Sequence, residues 1–342
     1  MSKINVLITG SGSLYGVALI KSLLQSALKL KLVACDVEPR TLGLYLAHRG
    51  YIVPPADPEE RYYSAILSIL NREKIDAVFI ASSHEIEFYS IHREEIERAT
   101  GARVFVNPPA VLKICNDKWH TINFLKQHKF NYPLTMRYPE DRSLMDDFVR
   151  EAGFPVIVKP RRGAGSIDLF RVDDMAGLHA VVRGRKGFIL QQYLPETDGE
   201  YTIGICTGSG GRVLSGITLK RFLREGMTMA AVADDFNEIT DYCKQVAGVL
   251  KPYGPCNFQL RLLNGKPYIF EINPRFSSST GMRCLLGLNE ADILLRAEIL
   301  GEKITGQKII KAGIIRQYKD YLVSAEQIEQ MEREKFRVNR QD

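Results

Sequence analysis

Glu271, Asn273 and Arg275 follow one another at two-residue spacing in the stretch FEINPR. Residues two apart in a β-strand point to the same face, so these three side chains would share one face while Phe270 and Ile272 pack on the other. A carboxylate and an amide oxygen on one strand face are hard ligands of the kind that Mg²⁺ prefers. The alternative is an ordinary amphipathic hairpin whose polar residues face solvent.

The strand register tests this site, because it decides which residue stands opposite Glu271. A plain two-residue turn at Asn264-Gly265 pairs Phe258 with Glu271, whereas a three-residue loop with a glycine bulge pairs Gln259 with it. Only the second arrangement adds a third oxygen ligand. We therefore predict the bulged loop, with Gly265 at positive φ.

Two further stretches could bind a nucleotide. In PVIVKPRRGAGS (155–166), a strand delivers Lys159 to a glycine-rich loop whose N–H groups could cradle phosphate oxygens, although a plain hairpin turn explains it equally well. In ILQQYLPETDGEYTIGI (189–205), the segment between two strands could present backbone groups to adenine, and Glu200 could accept hydrogen bonds from ribose hydroxyls. A solvated acidic loop is the alternative for this second stretch.

The opening stretch VLITGSGSLYG places Gly10, Gly12 and Gly16 between a strand pattern and a helix pattern. Asp36 follows roughly 20 residues on, where a ribose-binding acid stands in dinucleotide-binding domains. A nicotinamide oxidoreductase is therefore one candidate function.

The elements that would position these groups change character along the chain. Residues 1–110 alternate strands and helices, which is typical of a parallel, doubly wound α/β sheet, and the prolines of NPPA mark its end. Over 111–323, strand patterns joined mostly by glycine-containing turns predict antiparallel α+β structure, with helices at 234–250 and 288–300. Residues 324–342 form a charged tail that we expect to be a helix with a fraying end.

Composition narrows the classes of function. The chain has 342 residues, 45% hydrophobic and 25% charged, with a net charge of +6, which suits two or three globular domains. The sequence shows no membrane span, no secretory signal and no basic stripe for nucleic acid. Six scattered cysteines indicate buried thiols in a reducing compartment. We expect a cytoplasmic protein that binds neither nucleic acid nor membrane.

Taken together, these stretches resemble the ATP-grasp superfamily, most closely one half of the large chain of carbamoyl phosphate synthase. The resemblance implies a Rossmann-like pre-ATP-grasp domain over 1–110 and an ATP-grasp domain over 111–323, with a glycine-rich lid over about 120–187. The matching pieces are DKW at 117–119, VIVKP at 156–160, LQQYL at 190–194, GEYTI at 199–203, NFQLRLLNGKPYIFEINPR at 257–275 and LGLN at 286–289.

The resemblance implies a role for each matching residue. Arg275 and Lys159 would be the catalytic residues, stabilising the transferred phosphoryl group. Two Mg²⁺ ions, with Mn²⁺ as a substitute, would be bound by Gln259, Glu271 and Asn273, and the neutral Gln259 stands where many members have Glu. ATP would be held by Lys118, Lys159, Arg161, Gly163, Gly165, Ser166, the backbone of Gln191, Gln192, Tyr193 and Leu194, and Glu200.

The implied activity is ATP-dependent formation of a carbon–nitrogen bond between a small carboxylate and an amine, through an acyl phosphate and with release of ADP and phosphate. Because the chain has one such half, carbamoyl phosphate synthesis itself is not expected. A nicotinamide oxidoreductase and a non-catalytic nucleotide-binding regulator are the alternatives, and a homodimer is one assembly the sequence leaves open. Weaker candidates for substrate binding, each with a solvated surface role as its alternative, are Lys220, Arg221, Ser278, Ser279, Arg283 and Glu85.

Overall fold

A computed structural model of the chain describes residues 3–163, 165 and 167–339, and the first five strands of its first sheet are parallel, as expected. Strands β1 to β5 lie in the order β3-β2-β1-β4-β5. The order reverses beside β1, which opens a crevice at the carboxyl ends of β1 and β4. The elements are β1 (Ile4–Thr9), α1 (Leu14–Leu23), β2 (Leu30–Asp36), α2 (Leu42–Leu46), β3 (Arg49–Ile52), α3 (Glu59–Glu73), β4 (Ala77–Ile80), α4 (Ile86–Thr100) and β5 (Arg103–Phe105).

The glycines after β1 serve close packing. Gly10 has a φ of +55°, and a Cβ on it would lie 2.4 Å from the Cβ of Ser82. A Cβ on Gly16 would lie 2.7 Å from the carbonyl oxygen of Gly10. The backbone N–H of Gly12 donates to Asp36 Oδ2 at 2.7 Å, so the Asp36 carboxylate holds the turn closed.

A four-stranded antiparallel sheet follows two connecting helices, with strand order β6-β9-β7-β8. Its alternation is regular: Val156 and Val158 are buried among the residues of α7 and α8, while Ile157 and Lys159 line a cleft on the opposite face. The elements are α5 (Pro109–Cys115), α6 (Lys118–Gln127), β6 (Thr135–Tyr138), α7 (Met145–Ala152), β7 (Val156–Pro160), β8 (Phe170–Val172), α8 (Met175–Val182) and β9 (Phe188–Gln192).

The third sheet is antiparallel, in the order β14-β13-β10-β11-β12-β15. One face packs on α9, and the other shares a core with α1, α10 and α11, which ties this sheet to the first one. The elements are β10 (Glu200–Thr207), β11 (Val213–Arg224), β12 (Met227–Ala233), α9 (Asn237–Leu250), β13 (Gly254–Leu263), β14 (Lys266–Asn273), α10 (Thr280–Leu285), α11 (Glu290–Leu294) with a π-helical extension (Leu295–Ile299), and β15 (Ala312–Ile315).

The turn between β13 and β14 differs from the prediction. Leu263 pairs with Lys266, so Asn264 and Gly265 form a two-residue loop, not the expected three-residue one. Both loop residues have positive φ, +53° and +73°, the backbone of the hairpin turn that Asn-Gly favours. The prediction of positive φ at Gly265 is therefore confirmed, whereas the prediction of a bulge in the loop is wrong.

The bulge lies instead inside β14. Leu260 pairs with Ile269 but Gln259 pairs with Glu271, which leaves Phe270 as the extra residue. The expected pairing of Gln259 with Glu271 is thus present, produced by a different irregularity. A bulge breaks the alternation of faces, and Phe270 lines the same cleft as Glu271, which corrects the expectation that Phe270 packs on the opposite face.

The charged tail is part of the first sheet. Its helix, α12 (Ala325–Glu334), begins with a capping box between Ser324 and Gln327, and its strand, β16 (Phe336–Val338), pairs antiparallel with β3. Met331 is fully buried. The fraying tail we expected is therefore, as far as residue 339, an integral element of the N-terminal domain.

The six cysteines are all buried and unpaired, as expected. Among the helices in the described part of the chain, none combines the length and the apolar character needed to cross a membrane.

Candidate active site

A cleft of about 550 Å³ lies between the four-stranded sheet and one end of the third sheet. Strand β7 and the glycine-rich loop form one wall, and the ends of β10, β11, β13 and β14 form the other. Ser166 lies outside the described residues. The predicted site residues that line the cleft are Lys118, Lys159, Gly163, Gly165, Gln191, Gln192, Tyr193, Leu194, Glu200, Arg221, Gln259 and Glu271.

Lys159 presents a buried amine to the cleft. The residue is 5% exposed, and its Nζ lies 5.3 Å from the centre of the Phe270 ring. Burial lowers the pKa of Lys159 to about 8, with Glu271 opposing this shift and Lys118 adding to it. A buried amine with a lowered pKa is stabilised in its charged form by an incoming anion, as a phosphate-binding lysine would be.

The glycine-rich loop is tied to the start of α6. Lys118 donates from its backbone N–H to the Arg161 carbonyl oxygen at 2.9 Å, and its Nζ donates to the Gly163 carbonyl oxygen, also at 2.9 Å. Arg161 pairs with the α6 cap residue Asp117, Nη2 to Oδ2 at 2.8 Å. The guanidinium of Arg161 therefore anchors the base of the loop, and the part of this residue in holding ATP stays a prediction.

Of the four residues expected to present backbone groups to adenine, two use those groups inside the four-stranded sheet. The Gln192 N–H donates to the Leu134 carbonyl oxygen at 2.8 Å, and the backbone of Gln191 is paired within the sheet, between Thr135 on β6 and Ile157 on β7. These groups are already used inside the four-stranded sheet. Tyr193 and Leu194 then remain as the residues whose backbone would meet a base.

Glu200 is held between two arginines that are its cross-strand neighbours, Arg221 on β11 and Arg261 on β13. Arg221 donates to Glu200 Oε1, and Arg261 donates to Oε2 from Nε at 2.9 Å and from Nη2 at 2.7 Å. Burial opposes ionisation, but the two guanidinium groups outweigh it and hold the pKa of Glu200 below its ordinary value. A carboxylate has about four acceptor sites and the two arginines use four, so Glu200 could accept from a ribose hydroxyl only by releasing one of these bonds.

The candidate metal ligands lie close together: Gln259 and Glu271 line the cleft, and Asn273 stands beside Glu271 without lining it. Glu271 accepts from Asn273 Nδ2 at 2.8 Å, and Asn273 Oδ1 accepts from Arg275 Nη2 at 3.2 Å. No group of three His, Cys, Asp or Glu side chains within the described ranges is arranged to hold a metal. The donor set is therefore one carboxylate with amide oxygens, which fits a magnesium ion that also binds phosphate and water.

Comparison with known families agrees with this geometry. Residues 115–279 match the model of an ATP-grasp domain, and residues 6–104 match that of a PylC-like N-terminal domain. Residues 115–279 form an ATP-grasp domain. The ATP-grasp match contains both walls of the cleft, from Lys118 to Arg275.

Known ATP-grasp proteins share the fold over most of the chain. The carbamoyl phosphate synthase large chain of Archaeoglobus fulgidus is 22% identical in an alignment 304 residues long that covers 83% of this chain and 26% of that protein. This chain therefore spans about a quarter of that relative. The ADP complex of N5-carboxyaminoimidazole synthetase from Staphylococcus aureus has a TM-score of 0.67 and 15% identity, covering 91% of this chain and 80% of that one.

A third similar structure is the biotin carboxylase domain dimer of 2-oxoglutarate carboxylase from Hydrogenobacter thermophilus, with MgADP, ADP and bicarbonate bound. Its TM-score is 0.66 at 14% identity, covering 89% of this chain and 71% of that one. At these identities, the solved structures support the fold: a mixed α/β ATP-grasp architecture.

The first glycine turn is not arranged to bind a dinucleotide. The Gly12 N–H, which would face a pyrophosphate, donates to Asp36, and a Cβ on Gly12 would lie 2.3 Å from that of Thr41. The Asp36 carboxylate also accepts from the N–H groups of Val37 and Glu38. These contacts argue against the nicotinamide alternative.

Arg275 links the ATP-grasp domain to the first domain. Its guanidinium lies over the Tyr15 ring, 4.3 Å from the centre, and Nη1 donates to the Phe276 carbonyl oxygen at 3.0 Å. It does not line the cleft itself, but it stands beside the Glu271–Asn273 pair.

The structure gives other roles to several residues that we expected to bind substrate. Lys220 lies on the α9 face of the third sheet, opposite to its neighbour Arg221, and contacts Gly199. Arg283 is 1% exposed and pairs with Glu290 at 2.8 Å. Neither side chain is free to meet a ligand in the cleft.

Three further substrate candidates lie away from the cleft lining. Ser279 is buried, and the Ser278 carbonyl oxygen accepts from Arg316. Glu85 is 5% exposed and its Oε2 accepts from Thr9 Oγ1 at 2.7 Å. These contacts are structural, and the substrate roles of Ser278, Ser279 and Glu85 stay predictions.

Arg261 and Phe270 are cleft residues that sequence reasoning missed. Arg261 could have been found, since it lies two residues from Gln259 on the same strand face. Phe270 reaches the cleft only because of the bulge in β14. Regular strand alternation predicts that Phe270 and its neighbour Glu271 point to opposite faces.

Proposed function

We propose that this protein is an ATP-dependent ligase that joins a carboxylate to an amine, releasing ADP and phosphate. The observation that carries the proposal is one cleft lined both by Gln259 and Glu271, which are in register, and by Lys159, Glu200 and Tyr193. Lys159 and the glycine-rich loop belong to the facing wall, from which they would meet the phosphates of a nucleotide beside the oxygen ligands.

Magnesium fits this donor set. Glu271 lies in the cleft lining, and within the described chain no Lys or Arg forms an ion pair with it at 4.0 Å or closer. A carboxylate so placed can bind a hard cation, with the Asn273 amide beside it. When bound, the cation neutralises charge on the phosphate oxygens. Two ions, with Mn²⁺ as a substitute, are what the family resemblance predicts.

The reaction needs activation because a carboxylate is a poor electrophile. A carboxylate oxygen attacks the γ-phosphorus, the bond to the β-phosphate oxygen breaks, and ADP leaves with that electron pair. The amine then attacks the acyl carbon of the acyl phosphate. The carbon–oxygen bond to the phosphoryl group breaks, phosphate leaves, and the amine loses its proton to solvent.

The residues of this chain position the reactants and offset charge. Lys159 and Lys118 meet the phosphates, Glu200 holds the ribose, and Arg275 stabilises the transferring phosphoryl group from beside Asn273. The loop that contains Gly163 and Gly165 closes over the phosphates, which protects the acyl phosphate from water.

Isotope transfer tests the acyl phosphate directly. The enzyme is incubated with MgATP and a panel of ¹⁸O-carboxylates and amines, and the released phosphate is analysed by mass spectrometry. In the productive pair, one ¹⁸O should move from the carboxylate to phosphate, because the carbon–oxygen bond breaks on the acyl side. ADP release without ¹⁸O in phosphate contradicts the mechanism.

Glu271→Ala should reduce ligation by about 100-fold or more, as loss of a preorganised charge-stabilising contact does. Its matched control is Glu302→Ala, which removes a carboxylate paired with Arg296 outside the cleft and should leave the rate unchanged. Bound ATP with no turnover across the whole panel supports the regulator, and tight NADH binding without an ATP response supports the oxidoreductase.

The remaining parts of the proposal concern the kind of substrate, the location of the protein and its oligomeric state. Small-molecule substrates, a cytoplasmic location and a homodimer are part of the proposal. Sedimentation of the purified protein measures the assembly, and a purely monomeric boundary contradicts the homodimer.

A further inference from the structure

Arg316 follows β15 and carries a half-buried guanidinium group that has no acidic partner. Its backbone N–H donates to the Met229 carbonyl oxygen at 2.7 Å, which continues the pairing of β12 with β15. Within the described residues, the side chain makes one hydrogen bond, from Nη2 to the Ser278 carbonyl oxygen, and no carboxylate oxygen lies within 4.0 Å of it. Nη1 is shielded from water and has no hydrogen-bond partner in that part of the chain.

Two other buried arginines are each neutralised by a carboxylate. Arg221 pairs with Glu200, and Arg283 pairs with Glu290. Burial lowers the pKa of Arg316 below its ordinary value, and none of the described carboxylates opposes that shift. Because an uncompensated charge is costly inside a protein, an incoming anion would be stabilised beside the Arg316 guanidinium.

A second guanidinium group without an ion pair holds the same loop. Arg275 Nη1 donates to the Phe276 carbonyl oxygen at 3.0 Å, whereas Arg316 donates to the carbonyl oxygen of Ser278. The two positive charges therefore bind carbonyl groups two residues apart, and no described carboxylate oxygen lies within 4.0 Å of either guanidinium. Like charges on one loop repel each other, and an anion between them relieves that repulsion.

The same loop offers unused donors and adjoins the candidate metal ligands. Ser278 is partly exposed, and neither its N–H nor its Oγ forms a hydrogen bond to another described residue. Arg275 Nη2 donates to Asn273 Oδ1 at 3.2 Å, and Asn273 Nδ2 donates to Glu271 at 2.8 Å. An acid group bound on this loop would therefore lie beside Glu271, the candidate ligand for Mg²⁺.

We propose that Arg316, Arg275 and Ser278 bind the acid group of the carboxylate substrate. A planar guanidinium group can donate two parallel hydrogen bonds to a carboxylate, which fixes the orientation of the acid. Arg316 holds the acid from the β15 side, and Arg275 holds it from the side of Glu271, where the γ-phosphoryl group arrives. Arg316 lies outside both matched segments, so neither family model assigns it a role. The inference rests on the proposed ligase function and adds the residues that select an acid.

Ligand-observed NMR on the full chain tests this acid-binding site. With Mg²⁺ and the non-hydrolysable ATP analogue AMP-PNP at saturation, saturation-transfer titrations measure dissociation constants for acetate, succinate and alanine, each against its neutral amide. The wild-type protein should bind at least one carboxylate more tightly than the matching amide. Arg316→Met should weaken that binding about tenfold or more, the effect of losing one charge-assisted hydrogen bond. Unchanged affinity in the folded Arg316→Met variant overturns the proposal, and so does equal binding of every carboxylate and its amide.

Three further variants separate the charge of Arg316 from its part in the fold. Arg316→Lys keeps the charge, so it should lose less affinity than Arg316→Met. Ser278→Ala removes a hydroxyl without a partner among the described residues, so it should weaken carboxylate binding without changing the midpoint of urea unfolding. Unchanged carboxylate affinity in Ser278→Ala contradicts the proposal even where Arg316→Met does not fold. The matched control is Lys311→Met, a basic residue of the same segment that is 61% exposed and pairs with Asp234, and it should keep the wild-type affinity.

The titrations also separate this inference from the proposed function. A protein that binds AMP-PNP but does not distinguish a carboxylate from its amide keeps the nucleotide site and loses the acid-binding site. No AMP-PNP binding at any Mg²⁺ concentration would instead contradict the proposed function itself.

Discussion

Glu85→Gln should remove a pH dependence from the stability of the N-terminal domain. Glu85 stands before α4, 5% exposed, and its Oε2 accepts from Thr9 at the end of β1. Burial raises the pKa of Glu85 to about 7, an effect to which the charge of Asp36 adds and which hydrogen bonds from Thr9 and Tyr62 oppose.

The size and sign of the effect follow from proton linkage. The carboxyl titrates near pH 4.3 in the unfolded chain and near pH 7 in the folded one. Between these values the folded state binds more protons, so the free energy of unfolding falls as the pH rises through this window. At about 1.4 kcal/mol for each unit of pKa difference, the loss approaches about 4 kcal/mol by pH 8, of which about 2.5 kcal/mol falls between pH 5 and pH 8. The uncharged amide that the substitution introduces avoids this loss, so the variant should be the more stable protein at pH 8.

Urea unfolding followed by circular dichroism between pH 5 and pH 8 measures the difference. The matched control is Glu87→Gln, two residues along and exposed to solvent, which should follow the wild-type pH profile. Parallel profiles for wild type and Glu85→Gln would refute the reasoning. A raised KM for the carboxylate in Glu85→Gln, with unchanged stability, would restore the substrate role first expected for this residue.

Three further predictions concern other buried groups. Lys159 has a pKa lowered to about 8, so ADP affinity measured by calorimetry should fall up to about tenfold per unit above pH 8; Lys159→Arg stays charged, and an equally steep fall in it would contradict this explanation. Met331→Ala removes a fully buried side chain and should lower the free energy of unfolding by about 2–5 kcal/mol in urea titration; an unchanged midpoint would show that α12 is dispensable. Arg283→Met leaves Glu290 buried without its partner and should cost about 3–5 kcal/mol, part of which Glu290→Gln should restore in the double variant; additive losses would argue against the pair.

Much of the candidate site could be predicted from residue spacing and from the register of one hairpin. Two-residue spacing predicted that Glu271 and Asn273 share a strand face. The predicted hairpin register also placed Gln259 opposite Glu271, and the structure has this pairing. The position of the bulge could not be predicted, because a glycine turn and an internal bulge give the same pairing at that point. The internal bulge alone turns Phe270 into the cleft.

Contacts between distant segments explain what the sequence did not reveal. Arg161 pairs with Asp117 and Arg283 with Glu290, so basic residues that could serve a ligand are neutralised by folding. The tail was expected to fray because its partner, β3, lies far away in the chain. Only Met331 among its exposed, charged neighbours is fully buried, and a single apolar residue is a weak sequence signal.

The pairing of β16 with β3 determines when the first sheet can be completed during translation. While the ribosome is still producing the ATP-grasp domain, the emerging first sheet has its β3 margin open to any other strand. The edge strand β3 can pair with β16 only after residues 336–338 have left the exit tunnel. The domain that is translated first therefore cannot complete its sheet until the end of β16 has been made.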